Sequence, residues 1–248
     1  MKSTHIIVLL GLLISVSSAK AMMGDEPTGE VFLAPGWGKL SFEAPAAGTY
    51  DLPAMGEAAD GEVLSAEGET LSLNQLMDDK ISVLSFIYRT CDDVNGCPLS
   101  TMVLYTIGKE FAKQPELKDR LRLLTLSFDP QYDTPEIMGE YGDSIVGDAE
   151  MDWHFLTTES EQLVQPILDD YQQSVVKDKE LSDDGRTKFS HILRVYLIDQ
   201  QKQIRNIYSL SFLHPDILIN DVKTLIMEEL AITANNTSNT AAPANPDS

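Results

Sequence analysis

Two nearly uninterrupted apolar runs constrain what this chain can fold into more than any other feature. They are ISVLSFIY at 81–88 and LRLLTLSF at 121–128. Apolar runs of this length are typical of strands that are buried on both faces of a sheet. Each run is followed by a helical pattern: apolar residues recur every four positions over 99–111, and Thr134 with Pro135 marks the start of a second helix. The pattern predicts strand–helix–strand–helix.

The remaining predicted elements complete a mixed sheet. They are a short strand at 153–157, a helix over about 159–173, a hairpin of 192–199 with 203–210, and a last helix over 215–230. Strand–helix–strand–helix followed by hairpin–helix predicts an α/β protein of the thioredoxin-like fold, with a mixed central sheet and helices on both faces. The Gly-containing segment at 59–75 is expected to add an N-terminal hairpin.

The first residues, 1–21, have the features of a secretory signal peptide. A lysine precedes an apolar run from Ile6 to about Val16, and the segment closes on Ala-Lys-Ala at 19–21, with small residues where a signal peptidase reads the chain. The run is shorter than the roughly 20 apolar residues that a membrane-spanning helix needs. We therefore expect cleavage, a periplasmic protein and no membrane span afterwards. A retained signal would instead anchor the protein in the membrane.

Composition divides the rest of the chain into three parts. Residues 22–58 are rich in Gly, Pro, Ala and Glu and predict an extended lead-in that wraps the domain; 59–231 hold the thioredoxin-like domain; and the small polar residues of 232–248 predict a disordered tail. The chain carries 18 Lys+Arg against 39 Asp+Glu, a formal net charge of -21. Such a surface repels phosphate backbones, so nucleic acid is not an expected partner.

The chain contains two cysteines, Cys91 and Cys97. They follow the first buried strand and open the next helix, with Cys97 at the cap and Pro98 at the first helical position. Free backbone N–H groups at a helix start stabilise a thiolate and lower its pKa. The pair can therefore form a disulfide or bind a soft metal ion. A purely structural disulfide, or two inert buried thiols, is the alternative interpretation.

His191 stands just before the predicted hairpin strand. In a thioredoxin-like sheet the loop entering that strand lies beside the cysteine loop, so the imidazole can reach both sulfurs. Two thiolates and one imidazole suit copper, and the soft thiolates favour Cu(I). A lone histidine is more often an ordinary polar residue, so this assignment depends on the cysteine pair. Asp129 and Asp133, after the second buried strand, shape this site or a docking surface, or serve helix capping and turns, and are not assigned as ligands.

Three motifs, taken in order, resemble the Sco/SenC family of thioredoxin-like copper proteins. They are SVLSFIYRTCDDVNGCPLSTMVL, SFDPQYDTPEIMGEYG, and HILRVYLID beginning at His191, and the likeness covers about residues 59–231. The resemblance implies binding of copper, as Cu(I) or Cu(II), by Cys91, Cys97 and His191, and delivery of that copper to cytochrome c oxidase. Family members usually place three residues between the cysteines, where this chain has five, and are commonly membrane-anchored.

Three functions are consistent with these residues, and the first is favoured. It is a periplasmic copper metallochaperone that passes copper to an acceptor protein, a subunit of cytochrome c oxidase. The second is a thiol–disulfide oxidoreductase in which Cys91 and Cys97 act on a partner's cysteines and an external thiol reductant restores them. The third is a copper sequestration or sensing module. A copper carrier needs no catalytic turnover, so the sequence does not establish an enzyme.

Overall fold

The computed structural model describes residues 31–181 and 185–240. The predicted signal peptide, the first part of the lead-in and the end of the predicted tail lie outside the described residues. The strands are β1 (Glu62–Leu64), β2 (Thr70–Ser72), β3 (Ile81–Ile87), β4 (Leu121–Ser127), β5 (Trp153–Leu156), β6 (Val175–Leu181), β7 (Thr187–His191), β8 (Arg194–Ile198) and β9 (Ile204–Ser209). The α-helices are α1 (Leu73–Leu76), α2 (Cys97–Ala112), α3 (Pro115–Lys118), α4 (Pro135–Val146), α5 (Glu161–Asp170) and α6 (Pro215–Thr240), and a 3-10 helix spans Pro35–Trp37.

The central sheet has five strands in the order β5-β4-β3-β8-β9. β3 is parallel to β4 and β4 to β5, whereas β8 is antiparallel to both β3 and β9. Every residue of β3 is buried, which is the environment that its apolar run requires. The predicted mixed sheet is confirmed, with the first apolar run at its centre.

Helices cover both faces of this sheet. Gly108 of α2 lies against β4, because a Cβ built on it would come within 2.9 Å of the Leu123 side chain. Leu123 is the register partner of Val83, so these two side chains share a face and Phe86, three residues further on, points to the other. Phe86 contacts Tyr171 at the end of α5, with ring centroids 5.4 Å apart. Helices α2 and α5 therefore lie on opposite faces, as predicted.

The N-terminal part of the domain is fastened to the sheet and to α6. β1 and β2 form an antiparallel hairpin at the predicted position. In the lead-in before it, the Met55 N–H donates to the carbonyl of Ile204 at 2.8 Å. The Tyr50 hydroxyl donates to the carboxylate of Asp221 in α6. Main-chain and side-chain hydrogen bonds thus attach this segment at separate points.

The hairpin of β6 and β7 was not predicted, and it changes the setting of His191. The two strands pair antiparallel as a separate two-stranded sheet. The β6 sequence VVKDKEL has four charged residues and several exposed side chains, so it lacks the apolar pattern that reveals a buried strand. His191 is the last residue of β7, paired in register with Val175, rather than part of a loop entering β8.

Helix α6 is longer than predicted. The sequence predicted a helix over 215–230 and disorder over 232–248, but α6 ends at Thr240. The prediction of disorder is therefore wrong for 232–240. Once the buried first part of a helix has formed, each further residue adds a backbone hydrogen bond, so even weak helix formers can continue it. No helix among the described residues, α6 included, is long and apolar enough to cross a membrane.

We predict that Asp221→Asn lowers the free energy of unfolding by about 2 kcal/mol. The buried carboxylate accepts hydrogen bonds from the hydroxyls of Tyr50 and Tyr208 and from the amide of Asn206, and an amide in its place offers one acceptor oxygen. Urea unfolding followed by circular dichroism measures the loss. The control is Asp51→Asn at an exposed position, expected to change stability by less than about 0.5 kcal/mol. An equal loss in both variants would contradict this account.

Candidate metal centre

The cysteine loop, residues 88–96, joins β3 to α2. Cys91 lies within it and is half-buried, whereas Cys97 is buried and is the first residue of α2. Gly96 is the N-cap and Pro98 occupies the second helical position, so the helix begins one residue earlier than predicted. The shift is tolerated because proline lacks only a backbone N–H that has no partner within the first turn of a helix.

Gly96 allows the Cys91 sulfur to approach the start of α2. The Gly96 N–H donates to the Asp93 carbonyl at 2.8 Å, and the Asn95 N–H donates to the Asp93 carboxylate at 3.0 Å, so the loop turns back on itself. A Cβ built on Gly96 would lie 3.3 Å from the Cys91 Sγ and 3.2 Å from the Asp93 carbonyl oxygen. Glycine therefore leaves the sulfur and the carbonyl oxygen uncrowded at this point. The sequence showed it only as part of an Asn-Gly turn.

The structure brings the three predicted ligand residues together. One ligand atom from each of Cys91, Cys97 and His191 lies within 4.8 Å of the others, and the Cys97 Sγ is 3.5 Å from the His191 Nε2. Bonds of about 2.0–2.3 Å to one ion hold ligand atoms at most about 4.6 Å apart. The three groups therefore fit a shared soft metal ion with small side-chain adjustments.

Aromatic rings hold the His191 imidazole in place. Its ring centroid lies 5.1 Å from that of Phe128, which follows β4, and 6.1 Å from that of Tyr88, which follows β3. Phe189, two residues earlier in β7, packs against the same two rings at 5.4 Å and 5.0 Å. These rings could not be predicted as part of the site, because aromatic residues after apolar strands are indistinguishable from core residues in a sequence.

The two thiols differ sharply in acidity. A hydrogen bond with Cys97 lowers the pKa of Cys91 to about 4, with further help from His191 and against the effect of burial. The hydrogen bond with Cys91, together with burial, raises the pKa of Cys97 well above its ordinary value. The reduced pair at neutral pH is thus one thiolate, Cys91, hydrogen-bonded by one thiol, Cys97.

One of the two acidic residues after β4, Asp133, supports the start of the cysteine loop. Asp133 is buried and accepts hydrogen bonds from the Arg89 N–H at 2.9 Å and the Ser127 hydroxyl at 2.5 Å. Burial, followed by the nearby Asp133, raises the pKa of Asp129 to about 6. Neither carboxylate belongs to the cluster of potential ligands. Of the roles left open by the sequence, that of shaping the entry to the loop is therefore the one that Asp133 fills.

Two clefts flank the half-buried cysteine. One is mostly apolar, with a volume of about 500 Å³, and is lined by both cysteines together with Met102, Tyr105 and Tyr141. The other, of about 440 Å³, is lined by Cys91 and His191 together with Asp92, Asp93 and Ile192 among others. Cys91 borders both, so it is the thiol that an approaching molecule meets from either side.

This arrangement defines a thioredoxin-like protein with a candidate site for a soft metal ion at the carboxyl end of its central strand, β3. Comparison with protein families then gives the relationship: the model of the SCO1/SenC family matches residues 59–227. The chain belongs to the SCO1/SenC family, and the resemblance inferred from its motifs is confirmed. A search of curated proteins found no match.

Solved structures of Sco proteins share the fold at low sequence identity. Arabidopsis thaliana ScoI, with copper bound, is 19% identical, with a TM-score of 0.59 over 71% of this chain and 99% of its own. Yeast Sco1, also with copper bound, is 17% identical, with a TM-score of 0.56 over 72% of this chain and 90% of its own. BsSco, described as having a disulfide switch and as a member of the Sco family of cytochrome c oxidase assembly proteins, is 21% identical, with a TM-score of 0.56 over 71% and 98%.

We predict that Cys97→Ala raises the pKa of Cys91 from about 4 toward that of an ordinary thiol, because the S–H donor is lost. Cys97→Ser keeps a hydroxyl donor and is the matched control, with a pKa between those of the unmodified chain and the alanine variant. The ultraviolet absorbance of the thiolate during a pH titration of the reduced protein measures both. An unchanged pKa in Cys97→Ala would show that this hydrogen bond is not the cause.

Proposed function

We propose that this protein is a periplasmic copper metallochaperone that delivers copper to a subunit of cytochrome c oxidase. The observation that carries the proposal is the meeting of two cysteine sulfurs and one imidazole nitrogen within 4.8 Å. Membership of the SCO1/SenC family supports it, as do the copper-bound relatives from Arabidopsis and yeast. The oxidase as recipient is supported by the description of BsSco, and the periplasm by the signal predicted at 1–21.

The donor set suits copper better than harder cations. Thiolates are soft ligands that favour Cu(I), and imidazole binds both copper states. The lowered pKa of Cys91 makes one thiolate available before the ion arrives. Binding at Cys97 displaces a proton from its thiol, so copper uptake releases protons and strengthens as the pH rises.

Differences in burial suggest how copper leaves the site. Cys91 is half-buried and borders both clefts, whereas Cys97 is buried. An acceptor thiolate can therefore reach the metal beside Cys91 and take its coordination place, after which Cys97 and His191 are exchanged in turn. Copper passes by ligand exchange and is never released as a free ion.

We predict that His191→Ala weakens copper binding by about 100-fold or more, beyond what loss of a residue that only supports a ligand costs. An anaerobic titration of the reduced protein in competition with a chromophoric Cu(I) chelator measures the affinity, and a thiolate-to-Cu(II) absorption band monitors the oxidised ion. His154→Ala is the control. His154 lies in β5 outside the cluster of potential ligands, and its Nε2 is 2.9 Å from the carboxylate of Asp152. Unchanged affinity for both copper states in His191→Ala would refute the ligand assignment.

The acidity of Cys91 favours a second candidate function, thiol–disulfide exchange on a partner's cysteines. The Cys91 thiolate attacks a client disulfide, and one client sulfur leaves as a thiolate. The Cys97 thiol then gives up its proton and attacks Cys91, which forms the Cys91–Cys97 disulfide and releases the client as a dithiol. An external thiol reductant must take up the oxidised state for the next cycle. The disulfide switch described for BsSco supports this candidate.

Copper-free protein separates the two functions. If exchange is the function, the reduced protein reduces a model disulfide peptide, Cys97→Ala accumulates a mixed disulfide through Cys91, and His191→Ala retains most of the rate. Mass spectrometry of the trapped adduct and the release of peptide thiols measure these outcomes. Absence of both turnover and adduct would remove exchange as a function and leave copper transfer.

A further inference from the structure

A short segment of the lead-in lies against the cysteine loop. This segment, residues 34–37, is the strap. Its Ala34 N–H donates to the Asn95 Oδ1 at 2.7 Å, and its Trp37 indole N–H donates to the carbonyl of Val94 at 3.1 Å. Both bonds end in the middle of the loop between the two cysteines. The strap therefore holds the part of the loop that lies between Cys91 and the start of α2.

The strap is itself fixed to the body of the domain. Gly36 is buried, and a Cβ built on it would collide with the Leu213 carbonyl and lie 2.9 Å from the Leu99 side chain in α2. Only glycine allows this approach. Just beyond the strap, the Gly38 carbonyl lies 3.1 Å from the Nε2 of the buried His214. α2 and the turn before α6 therefore hold the strap in place, and the strap in turn bonds to the cysteine loop.

The two sulfurs depend on the loop to different degrees. Cys97 belongs to α2, which sets its position directly. Cys91 reaches α2 only because the intervening residues turn back at Asp93. Bonds at Val94 and Asn95 restrict this turn, and ligands held in their bound arrangement beforehand bind more tightly because less freedom is lost on binding.

We propose that the strap is a positioning element for the cysteine pair: Trp37 and Asn95 act through the loop to hold the Cys91 sulfur at the distance from Cys97 at which both can bind one ion or bond to each other. The expected effect of the strap on copper affinity rests on the proposed function. Its expected effect on the dithiol–disulfide equilibrium of Cys91 and Cys97 does not. The lead-in thereby becomes part of the site, although it carries no ligand.

The first test compares variants of the strap contacts. Trp37→Phe and Asn95→Ala each remove one bond, whereas Asn95→Asp keeps an acceptor oxygen for the Ala34 N–H. In competition with a chromophoric Cu(I) chelator, we expect the first two to bind Cu(I) about 10-fold more weakly, as when a residue that supports metal ligands is lost, and Asn95→Asp to restore binding. Tyr50→Phe, which loosens the lead-in at α6 instead, is the matched control with unchanged affinity.

The second test needs no copper. In a dithiothreitol buffer, the Cys91 thiolate and the Cys97 thiol lose two electrons and the proton of Cys97 as their S–S bond forms. Oxidised dithiothreitol takes up the two electrons, that proton and one proton from the buffer as its own S–S bond opens. The equilibrium constant reports how readily the two sulfurs meet. We expect Trp37→Phe and Asn95→Ala to disfavour the protein disulfide about 5-fold, the size expected from the loss of one hydrogen bond.

The two measurements separate the possible failures. If the unmodified chain does not bind Cu(I), the proposed function fails and the dithiol equilibrium alone decides on the strap. A shift in either equilibrium that Asn95→Asp restores supports the proposal. If Trp37→Phe and Asn95→Ala lower only the free energy of unfolding and both equilibria match those of the unmodified chain, the strap is purely structural and the proposal is overturned.

Discussion

The contact between the Cys91 sulfur and the first turn of α2 is the interaction on which the chemistry of this protein depends. It requires a loop that reverses direction within a few residues of the buried strand β3, and Gly96 favours it, because a Cβ there would lie only 3.3 Å from the sulfur. The contact brings Cys91 into a hydrogen bond with Cys97, which makes one sulfur a thiolate and leaves the other protonated. This one contact therefore accounts for both the acidic thiol, Cys91, and the weakly acidic thiol, Cys97.

The third member of the site is delivered by a part of the chain that contributes nothing to the central sheet. β7 belongs to a two-stranded hairpin with many charged residues, yet its end is anchored where Phe189 packs between Tyr88 and Phe128. Those two rings follow β3 and β4, the most buried strands. The imidazole of His191 therefore packs against side chains that the core holds in place. A hairpin with many exposed residues can in this way hold a ligand accurately at one end.

The elements that could be predicted from the sequence are those with a local physical signature. The apolar runs became β3 and β4, and Thr134 caps α4 by accepting a hydrogen bond from the Ile137 N–H. β6 and β7 could not be predicted, because their charged sequence does not record that an aromatic cluster fixes one end. For the site, the residue types and their order indicated which three groups meet. The close approach of Cys91 to Gly96 and the bond from Trp37 to the loop are tertiary contacts, and neither leaves a periodic pattern in the chain.

The site also joins distant parts of the chain, since Cys97 and His191 are separated by 94 positions. An unfolded chain brings both groups to one ion only at the entropy cost of closing a long loop, so an ion held by all three binds the native state more tightly. A ligand of this kind adds to the stability of the native state, by up to about 2.7 kcal/mol when its free concentration is 100 times its dissociation constant. The metal-bound protein would therefore outlast the metal-free one in the presence of proteases that attack opened chains, and its abundance would follow the supply of metal without any change in synthesis.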